Sequence, residues 1–249
     1  MPKRTFITDR MKASALILGL ELKQGDEGPR SIADQIMALA KIFNLEPKQA
    51  LEYAKNLPEL PKGAKEWFTI PTVDALAAKH FPEVTDSANK YCRAVQLVHA
   101  KLAESRRFRS WREEEITPNR LRVHAHTALS LDLIAENQPG DILIIGGQLG
   151  TRYQGESAKQ ARETFVSNEF GLDSLAVGSI LLIHPERLVS QKDLNIECPG
   201  DEFFPCTGDN GFSDTSYYLY RGGRVEFSTK WRGDPNVKFG SASGFIPKS

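Results

Sequence analysis

The sequence predicts an α+β protein: a helical N-terminal half followed by a mixed, largely antiparallel sheet with one or two helices. Three observations carry that expectation. Apolar residues recur at helical spacing up to about residue 136, the tetrapeptide Asn137-Gln138-Pro139-Gly140 interrupts the pattern, and short β-rich runs between turn residues follow. Helices first and strands later fit α+β better than a wound parallel sheet, in which the two would alternate. The break separates a helical region, 1–137, from a strand-rich region, 138–249, and leaves open whether they form one integrated domain.

The chain opens with Lys3, Arg4, Arg10 and Lys12 before the apolar run Ala13–Leu20. That order resembles a secretory leader, but no small-residue cleavage site follows. A run of about eight residues is also too short for a membrane span, which needs about 20. The run therefore reads as a buried strand or short core helix. Ser31 is placed to cap a helix, with Ile32, Ile36, Leu39 and Phe43 on one face. Pro47 opens a second helix, Lys48 to about Asn56, which Pro58 and Pro61 end for want of an amide to continue it. These two helices are spaced like a helix-turn-helix, yet Glu52 on the second works against a DNA-facing role, so they read as a helical hairpin.

A third helix is expected from Val73 to His80, closed by Phe81-Pro82. The fourth begins at Asp86 or Ser87 and carries the stripe Tyr91, Val95, Val98 and Leu102. A fifth is expected from Thr117-Pro118 to about Glu136, with threonine as cap and proline in the first turn. Beyond the break, Asp141–Ile145 reads as a buried strand, and Gly146–Thr151 as the turn at its end. Ser157 caps a helix over 158–167. Ser179–Ile183 and Leu194–Cys198 read as further buried strands. Tyr217–Tyr220, Arg221-Gly222-Gly223 and Arg224–Trp231 form the clearest hairpin signal, with Glu226, Ser228 and Lys230 on the wetter side. Gly240–Gly244 reads as a small, flexible segment that Phe245 and Ile246 pin to the sheet.

Composition bounds the function. With 40% hydrophobic and 26% charged residues the chain falls in the soluble globular range, not the disordered one. A formal net charge of +0 argues against a surface that binds polyanions everywhere, and leaves room for a local patch. Three cysteines, Cys92, Cys198 and Cys206, make no disulfide framework and fit a reducing, cytoplasmic setting without a membrane partner.

One such patch is the run Arg106, Arg107, Phe108, Arg109, Ser110, Trp111, Arg112. Arginines neutralise phosphates and the two aromatic rings can stack on unpaired bases. A charged helix end paired with Glu104 and Glu113–Glu115 is the structural alternative. A second gathering lies in the later half. His184, Cys198, Asp201 and Glu202 include the residue types of acid–base chemistry, and His184, Cys198 and Cys206 those of zinc ligation. Cys198 and Cys206 lie too far apart for a zinc knuckle, and the Asp209–Asp214 stretch fails calcium-loop spacing. His124 and His126 would share a face only on a strand. No Gly-x-Ser-x-Gly, His-Glu-x-x-His or Cys-x-x-Cys occurs, and the sequence leaves any cofactor unknown.

Two readings result. The first is a non-enzymatic binding module that contacts nucleic acid or a protein partner through Arg106–Arg112. The alternative is a metal-dependent or acid–base hydrolase with its site around residues 184–214.

Overall fold

A computed structural model describes residues 30–205 and 211–247. The apolar run at 13–20, Cys206 and Asp209 lie outside the described residues. The protein is α+β, with seven helices and one nine-stranded mixed sheet among the described residues.

Local signals place the first helices. In α1 (Ile32–Phe43) the Ser31 hydroxyl accepts from the Asp34 amide, and Ile36, Leu39 and Phe43 are buried. A short α2 (Lys48–Ala54) follows, and then β1 (Glu66–Pro71), a strand inside the half expected to be helical. Thr72 caps α3 (Val73–His80) and Asp86 caps α4 (Ser87–Ser105). The stripe Tyr91, Val95, Val98 and Leu102 is buried as its period requires.

From Ser105 onward the structure departs from the sequence expectation. The chain enters β2 (Phe108–Ser110), a 3-10 turn (Glu113–Glu115) and β3 (Leu121–Val123) before α5 (Ala125–Asn137). The helix expected from Thr117 therefore starts eight residues later. Leu121–Val123 pair instead with the strand holding Asp201–Phe203, and His124 caps the helix. Strand β4 (Ile142–Gln154) runs straight through the Gly146–Thr151 stretch, which is not a terminal turn. Ser157 makes a full capping box at α6 (Ala158–Thr164), which ends earlier than expected.

After β5 (Glu169–Gly171) comes the largest correction. Ser179–Ile183 is not a strand but the second half of α7 (Ser174–Ile183). Every residue of α7 is buried, so it shows no polar face and no helical period in sequence. Strands β6 (Asn195–Phe203), β7 (Asp214–Arg221) and β8 (Arg224–Trp231) follow, and then β9 (Phe239–Phe245), which contains the segment expected to be flexible.

The sheet order is β1-β4-β9-β6-β7-β8-β2, with β3 added to β6 and β5 to β9. Pairing is antiparallel except for β6–β9 and β2–β8, which are parallel. The strands from before the break are thus spread through the same sheet as those after it. Helices α4 and α7 lie side by side against the inner sheet face, where Tyr218, Val225 and Phe227 are buried. That packing fixes which side chains of β7 and β8 point the other way, because neighbours along a strand alternate.

Candidate functional site

The basic-aromatic run starts at the end of α4, where Arg106 is the C-cap, and continues as the strand Phe108–Ser110, whose alternation sorts its residues. Val225 N–H donates to the Arg107 carbonyl and Trp111 N–H to that of Phe227, both at 3.0 Å, which fixes β2 beside β8. Phe108 turns inward onto His99, with ring centroids 5.0 Å apart. Arg106 reaches across to the carbonyls of Arg187 (3.0 Å) and Leu188 (2.7 Å), tying down the loop after α7. Arg112 pairs with Glu115 at 2.9 Å and lies 5.7 Å from the centre of the Phe203 ring. Arg107, Arg109 and Trp111 are left exposed on the outer side. Neither Arg107 nor Arg109 belongs to an ion pair among the described residues.

Trp111 is 43% exposed, yet held on two sides. The Arg109 guanidinium stacks 3.3 Å from its ring centre, and its Nε1–H donates to Glu226 Oε2 at 3.0 Å. Glu226 in turn accepts from Arg221 Nη2 and Arg224 Nε, each at 2.8 Å. Burial would raise the Glu226 carboxyl, but the bonds from Trp111, Arg224 and Arg221 outweigh it and hold its pKa below the ordinary value.

The hairpin supplies the rest. Gly222 and Gly223 adopt φ of 60° and 80°, the backbone a two-residue turn demands, so β7 and β8 pair in strict register. Tyr217 lies opposite Ser228 and Leu219 opposite Glu226, all on the outer face. Together with Trp111, Arg112 and Arg221 they line an open cleft of about 320 Å³. Tyr217 also meets Phe239 edge-on, 5.1 Å away.

The residues of the second gathering are not drawn together in this way. Asp201 is sealed in the core at the N-terminus of α7, where it accepts from the Ser174 amide (2.9 Å) and the hydroxyls of Ser174, Ser216 and Tyr91. Burial nevertheless raises its pKa. Beside it, Asp173 caps α7 through the Ala176 amide at 2.8 Å. Burial and the Asp201 charge push Asp173 up to about 7. Cys198 is fully buried nearby, with its thiol raised by burial and by Asp201. His184 closes the opposite end of α7, about 15 Å away along a ten-residue helix. It contacts Glu186 at 2.9 Å. Glu202 pairs with Arg122 (2.9 Å) and Arg232 (3.5 Å), not with Asp201. Among the described residues no group of three or more His, Cys, Asp or Glu side chains could hold a metal ion.

Two other histidines serve the fold. His124 caps α5, its Nδ1 accepting from the His126 amide at 3.3 Å. His99 is buried against Tyr218, Phe108 and Phe227, and burial pushes its pKa down to about 3, so it is neutral at physiological pH.

The β7–β8 half of the outer cleft was visible in sequence only as the wetter side of a hairpin. Its meeting with Trp111 depends on a parallel pairing that no local pattern encodes. No protein-family model matches the chain, and no curated protein or solved structure shows significant similarity to it.

Proposed function

We propose that the outer face of β2, β7 and β8 is a binding surface for single-stranded nucleic acid and that the protein is a non-enzymatic binding module. The observation that carries this reading is Trp111, a large aromatic left exposed while Arg109 and Glu226 hold its ring in place. Preorganising an aromatic in this way lowers the entropy lost when a flat ligand stacks on it. On that face Arg109, Arg112, Arg221 and Arg224, with the exposed Arg107 two residues along the run, outnumber the bonded carboxylates Glu115 and Glu226, while Asp214 lies within the field of Arg112. The exposed Glu113 and Glu114 follow on the 3-10 turn and limit that excess on one side. Stacking platforms beside backbone-neutralising cations are how unpaired strands are held without sequence preference.

The hydrolase alternative would need His184 beside Cys198 and Asp201, and the length of α7 separates them. No further observation favours it.

Fluorescence anisotropy with a labelled oligothymidylate ten-mer tests the proposal. Engagement of about three phosphates predicts an affinity loss of roughly twenty-fold between 50 and 200 mM salt, from the single-strand counterion-release slope. Arg107→Glu combined with Arg109→Glu is expected to weaken binding and flatten that slope. Binding that ignores salt, or that the double variant leaves intact, contradicts the proposal.

A further inference from the structure

Resting on the reading just given, the geometry points to a more specific occupant for the cleft: we infer that it admits one unpaired nucleobase of the bound strand, stacked on the ring face of Trp111 that Arg109 leaves open. Arg109 packs on Trp111 at 3.3 Å and is not among the residues that line the cleft, so a base lying there would meet the part of the indole that Arg109 leaves uncovered. A base entering there completes a guanidinium–indole–base stack, each layer held by the one behind it.

The cleft fits one such unit. Its volume of about 320 Å³ lies at the lower end of small-molecule sites, enough for a monomer and not for a folded segment. Its walls differ in kind. Trp111 offers a flat apolar ring and the largely buried Leu219 a little apolar surface, whereas Tyr217 and Ser228 carry hydroxyls with no protein hydrogen-bond partner among the described residues. Those hydroxyls can donate to or accept from whichever edge a base presents, so the cleft is suited to bases in general. Arg112 and Arg221 at its border suit the phosphates on either side of that base. Glu226 acts as a positioning residue, because its carboxylate orients Trp111 through Nε1 and gathers Arg221 and Arg224.

The distinguishing property is that binding counts bases and not charge alone. Full-length protein is titrated with an oligothymidylate ten-mer, with the same ten-mer made wholly abasic, with inorganic polyphosphate of equal charge, and with adenosine monophosphate. Trp111→Ala and the cleft-filling Ser228→Phe serve as variants; both positions reach solvent, and circular dichroism verifies their fold. The intact ten-mer is expected to bind roughly ten- to hundred-fold more tightly than the abasic strand or polyphosphate, the range of one base–aromatic stack. Either variant should bring the intact strand down to the abasic level, and adenosine monophosphate should compete only weakly.

Intact strand that still outbinds the abasic strand, weakened by Trp111→Ala but untouched by Ser228→Phe, overturns the base-pocket inference while leaving the strand-binding surface standing. Equal binding of intact strand, abasic strand and polyphosphate, unchanged in both variants, overturns both. Adenosine monophosphate binding as tightly as the ten-mer makes the occupant a free nucleotide and overturns both. No binding of any probe at low salt also removes both.

Discussion

Gln35 is buried on α1, and its amide donates to the Trp67 carbonyl while its oxygen accepts from the Thr69 amide, both at 3.1 Å. It thereby occupies the free edge of β1 as a neighbouring strand would. Gln138 does the same for Ile144 on β4, bonding its carbonyl (2.9 Å) and its amide (2.8 Å). Gln148 accepts from Gly150 N–H at 2.7 Å inside β4, where the register with β9 shifts. None of this was legible in sequence, since glutamine in a helix or loop reads as solvent-facing. The Asp173–Asp201 pair was equally hidden, because a helix cap and a turn residue carry no sign that they meet in the core. It gives a pH dependence with a definite sign. Asp173 is raised in the folded protein, so the folded state holds the proton more tightly than the unfolded chain. The associated stability is present below about pH 4 and is lost as pH rises toward about 7, at up to about 1.4 kcal/mol per pH unit. Urea titrations from pH 5 to 8 should show the wild type losing stability more steeply than Asp173→Asn, which keeps a capping side chain but cannot ionise. Parallel curves for the two proteins would show that Asp173 is not the titrating group.

The elements that sequence located well, α1, α4 and the β7–β8 hairpin, each have one face in the core and one toward solvent. Those it misplaced lack that contrast. α7 is buried on every side, so its apolar run Ile180–Ile183 has no period to separate helix from strand, and only the Asp173 cap hints at the answer. β9 failed for the opposite reason. Its glycines and serines suggested a loose tail, but it is an interior strand between β4 and β6, and small residues are what its crowding allows. A Cβ on Gly240 would sit 2.1 Å from the Gly150 carbonyl oxygen, with backbone on both sides of the clash. The hydroxyls of Ser241 and Ser243 bond the buried carboxylates of Glu197 (2.9 Å) and Glu169 (2.6 Å). Gly240→Ala is therefore expected to cost about 1–3 kcal/mol or more in urea unfolding, as overpacking against an unyielding neighbour does. A change within about 0.5 kcal/mol would instead mark the segment as the loose tail that its composition suggests.

At the scale of the whole molecule, the break at Asn137–Gly140 is a real change of local pattern, with α5 before it and β4 after it, but it does not divide the sheet. β1, β2 and β3 each pair with a strand from beyond it. Their buried side chains join one hydrophobic core that includes Phe68, Leu102, Ile144, Ile180 and Phe227. No helix among the described residues is long and apolar enough to cross a membrane. The candidate site repeats this lesson. Arg107, Arg109 and Trp111 stood out as a run, whereas Tyr217, Arg221, Glu226 and Ser228 come from a hairpin more than a hundred residues away, Trp111 and Glu226 being separated by 115 positions. Half the surface was readable because its residues are contiguous, and half was not because a parallel strand pairing assembles it. The claim that these two segments form one nucleic-acid surface is tested most directly by photocrosslinking a 4-thiouridine-containing RNA ten-mer to the full-length protein and mapping the modified peptides. Crosslinks are expected in both Arg107–Arg112 and Tyr217–Ser228, lost together at high salt. Crosslinks confined to other parts of the chain, with both of these segments unmodified, would contradict it.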